Sequence, residues 1–598
     1  MNTMKIIQPG LALSLALSLA APVAHAARPG DQAPITGIHP SYSLENIRPA
    51  ALNFSIGAMD FLSDGSLVVT SWKDPYGVFI IKNATGAKSG ITVTEFASGL
   101  TETLGLKVVN DQIFVLQKDE LTQLIDSDKD GKADEFKAIA YDWTKSTMEK
   151  EYAMGLIWDG TYFYGAFGDN TVNGGTAVNP VPAGRQNGVL RFSMDGTVEP
   201  FSGGLRVPGG LEYAFGEVWL TENQGGFRSM NPLYNIRYKR WYGRPVNPPS
   251  VYQPIPYRDL TDAETAPGST TYSRAAVDMV FQQAGGRSPG NPMVVKSGLF
   301  KNQILVPDCD ATYGGISRNF LEIVGGEFQG ANFHFSRGFE GVGVYRIVTG
   351  PDGDIYAGAN GSRSAGWQRA GHIGLDRLKL KAASDAFDML AVRSKGNNSF
   401  EIEFTKPLNA SLGNDVASHL ECQKWFNRIK MEYGAGAKQG TATLTVSAAV
   451  VSADRKKVTA TISGLSEGYV TWLHWKGDAI VSADNQKLWG TEAWYSLNKF
   501  GPGKDPEDNS VALQSALPAG SKPFRAGIQA DRQLGVHVDL PAGSLFTVEV
   551  GDLAGRVHVR RSGAGRSDLV IPSDALPAGL HIVTLRSGNR TWSQLGHR

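Results

Sequence analysis

The stretch "GAMDFLSDGSLVVTSW", Gly57–Trp72, places two alternating apolar runs on either side of an Asp-Gly step. Glycine there takes the positive φ that a tight reversal needs, so the pattern predicts an antiparallel hairpin. The theme recurs in "LGLKVVNDQIFVLQKDEL" (Leu104–Leu121), "MGLIWDGTYFYGAFG" (Met154–Gly168), "GGLEYAFGEVWLTENQG" (Gly209–Gly225) and "VYRIVTGPDGDIYAGANG" (Val344–Gly361). Hairpins repeating at a spacing of ~40–50 residues imply a β-propeller. Six blades fit residues 35–380 best.

The rest of the chain is also read as strands. "FEIEFTKPL", "GTATLTVSAAVVSADRKKVTATISGL" and "YVTWLHWKGDAIVSADNQKLW" alternate with period two and place a β-sandwich over residues 382–500. "SHLECQKWFNRIKMEYG", Ser418–Gly434, is the best candidate for an amphipathic helix. Residues 501–523 are a Pro/Gly/Asp linker, and 524–598 form a third, small β domain. The expected class is therefore all-β: a six-bladed propeller, a β-sandwich and a small C-terminal β-sandwich.

The N-terminus reads as a secretory leader over residues 1–26: Lys5, an apolar "LALSLALSLAA", then "AHA" at Ala24–Ala26. Export to the medium or the cell surface follows as an expectation. No later apolar run approaches the ~18 residues of a membrane span. Lys+Arg and Asp+Glu are 58 each, a balance that gives no support to nucleic-acid binding. The two cysteines, Cys309 and Cys422, either pair or stay as buried thiols; no C-x-x-C-H offers a haem attachment.

In "LTQLIDSDKDGKADEF" (Leu121–Phe136) four carboxylates, Asp126, Asp128, Asp130 and Asp134, crowd around Gly131. D-x-D-x-D-G is the front of a calcium loop, in which alternate side chains converge on one ion and Lys132 offers its carbonyl. Lys137 stands where a helix–loop–helix site needs a bidentate glutamate, so a loop on a β-hairpin fits better. The other reading is a solvated acidic turn.

"GAMDFLSDGSLVVTSW", "LIDSDKDGKADEF", "GGLRVPGGLEYAFGEVWLTENQG" and "GEFQGANFHFSRGFEGVGVYRIVTGPDGDIYAG" together resemble propellers of the glucose/sorbosone dehydrogenase type, in the branch named after membrane-bound dehydrogenases. The likeness covers about residues 40–380. It continues weakly into 382–500 through "VSADRKKVTATISGL", which resembles the Ig-like domain attached to that branch. The resemblance implies pyrroloquinoline quinone, calcium and oxidation of a sugar or polyol, with a histidine base and an Arg-Asn pair at the quinone. Here "MEKEYAMGL" puts Lys150, between Glu149 and Glu151, where relatives carry the histidine. Arg206 matches the family arginine, but Val207 follows it instead of asparagine. "TENQGG" offers Asn223 and Gln224 for cofactor or calcium, or is simply a tight loop. Asp308 and Arg318 are weaker cofactor candidates, since buried Asp–Arg pairs are commonly structural. His334 either enters the channel or packs. The tail, "VEVGDLAGRVHVRRSG" with "LPAGLHIVTLRSG", is similar to type IX secretion sorting domains, which implies a secretion machinery as partner. Two functions stay open: a sugar or polyol dehydrogenase, degenerate or not, and a non-catalytic carbohydrate- or partner-binding propeller.

Overall fold

The computed structural model describes residues 37–597, except 73–75, 142, 144–151, 169–170, 173–176, 179–186, 226–227, 247–248, 250, 280–285, 310–314, 340–342, 360–372, 382–385, 430–437, 507–523, 529–533, 539, 541–544, 553–556, 572–579 and 588–589. Six blades of four antiparallel strands follow one another along the chain, five as separate sheets and blade 5 as the start of a longer one. Blade 1 is Ile56–Phe61, Leu67–Ser71, Gly77–Lys82 and Thr92–Ser98; blade 2 is Gly105–Val109, Gln112–Leu116, Leu121–Ile125 and Glu135–Ala140. Blade 3 is Ala153–Trp158, Phe163–Phe167, Gly188–Phe192 and Val198–Gly203; blade 4 is Pro208–Ala214, Glu217–Glu222, Asn231–Ile236 and Val277–Met279. Blade 5 is Met293–Val294, Ile304–Asp308, Gly315–Val324 and Glu327–Ser336. Blade 6 is Val344–Thr349, Ile355–Ala359 and Leu375–Leu380, and its outer strand comes from the other end of the propeller, Tyr42–Asn46. That exchange closes the ring and leaves no open blade at the junction. Apolar residues of neighbouring blades pack as successive layers, such as Val68, Ile80, Leu106 and Val115 between blades 1 and 2.

Blade 5 does not end in solvent. Its outer strand Glu327–Ser336 pairs with Glu492–Leu497, and the sheet runs on through Tyr469–Trp475 and Leu420–Asn427. The long strand Lys438–Val451 pairs by its first half with Leu420–Asn427 and by its second half with Lys457–Ser463. From there Ser399–Phe404 and Met389–Ser394 complete an eleven-stranded sheet that folds over one core. Phe320 and Phe333 of blade 5 share that core with Phe400, Ile462, Leu473 and Trp475.

Two expectations are revised. Ser418–Gly434 is not a helix: Leu420–Asn427 is a strand with a partner on each side, and hydrogen bonding to both neighbours outweighs the helix-like apolar spacing. The residues 501–505 of the expected linker are held in place. Lys504 exchanges backbone hydrogen bonds with Ile323 at 2.9 and 3.0 Å, and Arg393 reaches Asp505 at 3.2 Å. Residues 524–597 form two small sheets around Val536, Val548, Val550, Val583 and Leu585. Cys309 and Cys422 are both buried, and no disulfide joins them. Among the described residues no helix is long and apolar enough to cross a membrane.

Candidate functional site

In each blade the first-to-second and third-to-fourth strand turns lie at one end. The second-to-third turns and the crossings to the next blade lie at the other. Residues 204–207 cross into blade 4, Asn223 and Gln224 begin that blade's middle turn, and Asp308 ends the second strand of blade 5. These candidates therefore share one end of the propeller. Asp126–Asp134 joins the third and fourth strands of blade 2, at the opposite end. Glu149, Lys150 and Glu151 lie outside the described residues.

The blade 4 site is organised by Glu222, which is 1% exposed. Its carboxylate accepts the backbone N–H of Arg206 and, at 3.2 Å, that of Val207. The Asn223 N–H returns a bond to Val207 O at 3.0 Å, so crossing and turn are laced together. The Arg206 guanidinium donates to Gln224 O at 3.2 Å and lies flat over Gly225. A Cβ at Gly225, whose φ is +153°, would stand 2.5 Å from that guanidinium, so only glycine fits. Gln224 N–H donates to Asn231 Oδ1 at 2.8 Å, and Asn231 Nδ2 continues to Gly286 O at 3.2 Å. Asp308 stands against Gly286 and accepts the Ser288 N–H at 2.6 Å. Arg206 thus meets Gln224 directly, Asn223 is tied to the neighbouring Val207, and Asp308 joins them through the Asn231–Gly286 link. Asn223 is 9% exposed, and its Oδ1 is buried with no hydrogen-bond partner among the described residues. An unsatisfied buried acceptor costs ~1–3 kcal/mol, a debt that a hydroxyl-bearing ligand would relieve.

The axis of the propeller is filled. Trp72, Leu104, Tyr152, Met154, Cys309 and Tyr345 form one cluster there. Arg346 from the inner strand of blade 6 spans it, donating to Gly57 O in blade 1 and to Gly209 O in blade 4 at 2.8 Å. It also rests on the Tyr345 ring, 4.1 Å from its centroid. Burial pulls the Arg346 guanidinium below its ordinary pKa and pushes the Tyr345 phenol up. Sequence reasoning missed Arg346 and Glu222. Each was visible only as a charge inside or at the end of an apolar strand, in "VYRIV" and "EVWLTE".

Arg318 and His334 sit elsewhere, where blade 5 meets the second unit. Arg318 donates to Gln303 Oε1 at 2.6 Å, Met389 O at 2.6 Å and Asp388 Oδ2 at 3.0 Å, and stacks between Phe300 and Phe333. His334 Nε2 is 3.3 Å from Glu492 Oε2 and its ring meets Trp494 edge-on, so it packs at this junction. His39 stacks on Phe335, 3.5 Å from Asp388, and desolvation holds its pKa below the ordinary value. His372 lies outside the described residues.

In the acidic loop, carboxylate oxygens of Asp126, Asp128 and Asp130 all lie within 4.8 Å of one another. Lys129 and Gly131 adopt positive φ, which curls the backbone around them. Asp134 does not join the cluster. Its Oδ2 accepts Ser127 N–H and Oγ–H, both at 2.8 Å, and these bonds hold its carboxyl below the usual pKa. The Lys132 N–H is bound to Asp130 Oδ1 at 2.8 Å. Three carboxylates therefore converge, each accepting a backbone N–H of the loop, with Asp134 bracing it.

No family model and no curated protein matches the chain. Solved structures align over just over half of it. A glucose dehydrogenase-type oxidoreductase from Thermus thermophilus is 17% identical, covering 56% of this chain and 99% of its own, with a TM-score of 0.41. The soluble aldose sugar dehydrogenase of Escherichia coli is 12% identical, over 57% and 100%, at 0.40. The PQQ domain of pyranose dehydrogenase from Coprinopsis cinerea is 10% identical, over 57% and 96%, at 0.39. The strand pairing alone identifies the propeller.

Proposed function

We propose that the propeller is a quinoprotein-like head that binds a sugar or polyol at the Arg206–Asn223 end and oxidises it weakly or not at all. The observation that carries this is the buried Oδ1 of Asn223, without a hydrogen-bond partner among the described residues, in the turn whose Gln224 and Gly225 carry the Arg206 guanidinium. A carboxamide oxygen accepts a hydroxyl proton and a guanidinium donates to a hydroxyl oxygen, so the pair suits neighbouring alcohols. Pyrroloquinoline quinone carries several carboxylates. Among the described residues, Arg206 is joined here by Arg287, between Gly286 and Ser288, and Val207 stands where the family carries asparagine. That set does not neutralise such a group, and no oxidative step is derived from it. Both described histidines of the propeller are committed at the junction with the second unit. The resemblance places the proton acceptor for oxidation at Glu149, Lys150 or Glu151. The test is calorimetric titration of the full chain with a panel of aldoses and polyols. Saturable binding that Asn223→Leu weakens at least tenfold supports the proposal; no binding by a chain that melts cooperatively overturns it.

Three further roles belong to the same reading. Calcium occupies the Asp126–Asp128–Asp130 loop and stiffens blade 2, at the opposite end from the sugar. The leader exports the chain. The last β domain delivers it to the surface or medium through a secretion machinery; its support is the tail's sequence and its position beyond residues 507–523.

A further inference from the structure

The eleven-stranded sheet rolls round until its last strand, Met389–Ser394, comes back beside Gly315–Val324 of blade 5, where the Ser394 N–H donates to Glu322. Residues 501–505 close the seam between the two strands. On one side Lys504 exchanges backbone hydrogen bonds with Ile323 at 2.9 and 3.0 Å; on the other Pro502 forms a β-bridge with Lys395. Phe500 N–H donates to Glu467 Oε1 at 2.7 Å, and Arg393 holds Asp505 at 3.2 Å. Pro502, Lys504 and Asp505 are exposed, so this short strap has solvent on its outer side.

On its inner side the strap covers Glu322, which is 0% exposed. Glu322 Oε1 accepts the Ser394 N–H at 2.8 Å and the Tyr495 hydroxyl proton. Its Oε2 is turned to the strap: a Cβ at Gly503 would collide with it, so carboxyl and strap backbone are in direct contact. Gln329 donates to the Tyr495 hydroxyl at 2.6 Å, and its carboxamide also faces the carboxyl. The cation that acts on Glu322 is Arg393, which is itself engaged by Glu403 at 2.6 Å and by Asp505 at 3.2 Å. Of the two lysines flanking the seam, Lys395 pairs with Glu401 at 3.7 Å and Lys504 is exposed. A neutral carboxyl fits this pocket. An ionised one shares its counter-charge with two other carboxylates and has to draw water, and the strap stands between its Oε2 and solvent. Burial accordingly raises the Glu322 pKa to about 7.

We propose that residues 501–505 are a proton-controlled strap, closed over the rolled sheet while Glu322 is protonated and lifted when Glu322 ionises. The strap is closed below about pH 7 and opens as pH rises through it, because a raised folded-state pKa favours the protonated fold. These five residues lead to the C-terminal domain, whose first strand starts at Phe524, so lifting them adds up to about 17 Å to the reach of its tether. The experiment is hydrogen–deuterium exchange on the full chain at about pH 5.5 and about pH 8.5, with exchange times corrected for the chemical rate at each pH. Protection of the Lys504 and Ile323 amides should fall roughly tenfold or more at the higher pH, while that of Leu420–Asn427 stays. Glu322→Gln should abolish the step. Equal protection at the two pH values, the same step in Glu322→Gln, or a matching loss in Leu420–Asn427 would overturn the proposal. Gly503→Ala keeps the test decisive if Glu322→Gln does not fold. Its Cβ meets the carboxyl, so it should expose the strap at about pH 5.5 as the parent does at about pH 8.5; parental protection in that variant would also overturn the proposal.

Discussion

Arg318 and Arg206 are both buried arginines of the propeller, and their surroundings differ in kind. Arg318, fully buried, finds its partners within the chain: a carboxylate, a carboxamide, two carbonyls and two aromatic faces. Arg206 lies over a glycine next to Asn223, whose carboxamide oxygen is left without a partner. The first gives both terminal nitrogens of Arg318 partners, leaving its Nε without one among the described residues, and holds two units together. The second leaves an acceptor without a partner among the described residues, and that is where the proposed ligand hydroxyl is placed. Burial of a charged side chain alone does not distinguish architecture from function; the accounting of the neighbouring polar atoms does.

Breaking the junction should have the largest effect. Asp388→Ala leaves the Arg318 guanidinium buried without its counter-ion, and breaking a buried pair costs ~3–5 kcal/mol. Denaturant melts should show that loss, whereas Arg206→Ala should cost less than half as much. Equal losses would erase the contrast between the two arginines.

Glu322 sharpens the same contrast through pH. It sits at the junction, accepting Ser394 N–H at 2.8 Å and the Tyr495 hydroxyl proton, and burial raises its pKa to about 7. A folded-state pKa above the unfolded one favours the protonated fold, so its stabilisation is full below about pH 4.5 and lost as pH rises through about 7. At ~1.36 kcal/mol per unit this is about 3 kcal/mol at most. Glu322→Gln should flatten stability between pH 4.5 and 7; an unchanged slope would assign the pH dependence elsewhere.

Smaller effects are expected at the acidic loop. Calcium bound only by the folded chain stabilises it by ~2.7 kcal/mol at a hundredfold excess over Kd. Chelation should lower Tm, and Asp128→Ala should remove that dependence. Identical melts with calcium and with chelator contradict a calcium loop. Deleting residues 507–598 should leave the remaining transition in place, within the error of the melt, but stop delivery of the chain. Equal appearance of the truncated chain outside the cell would refute a sorting role.

Much of the propeller was legible because its signals are local. Asp-Gly turns between period-two runs are written within ~15 residues, and blades follow from their repetition. The junction was not legible, because Glu327–Ser336 finds its partner in Glu492–Leu497, far along the chain. The strand Leu420–Asn427 hid for a related reason. A register shift between Lys424 and Phe426 breaks its alternation and leaves Leu420, Cys422 and Trp425 buried, a spacing that mimics a helix. At the candidate site Arg206 and "TENQGG" stood out as separate fragments. That Glu222 would lace them together, and that Asn223 would be left with an unpaired oxygen, depends on the approach of crossing and turn. Arg318 was singled out for its company in "LVPDCDATYGGISR", yet its partners come from Gln303 and from Asp388–Leu390.

Binding without efficient oxidation is most directly tested by dye reduction. The full chain, supplied with calcium and pyrroloquinoline quinone, is assayed over a panel of aldoses and polyols it has been shown to bind. The expected result is turnover no higher than that of a chain without quinone, since loss of a general base alone costs ~10²–10⁴-fold in rate. Robust turnover in the parent, abolished by Arg206→Ala, would contradict the account and make the chain a working dehydrogenase.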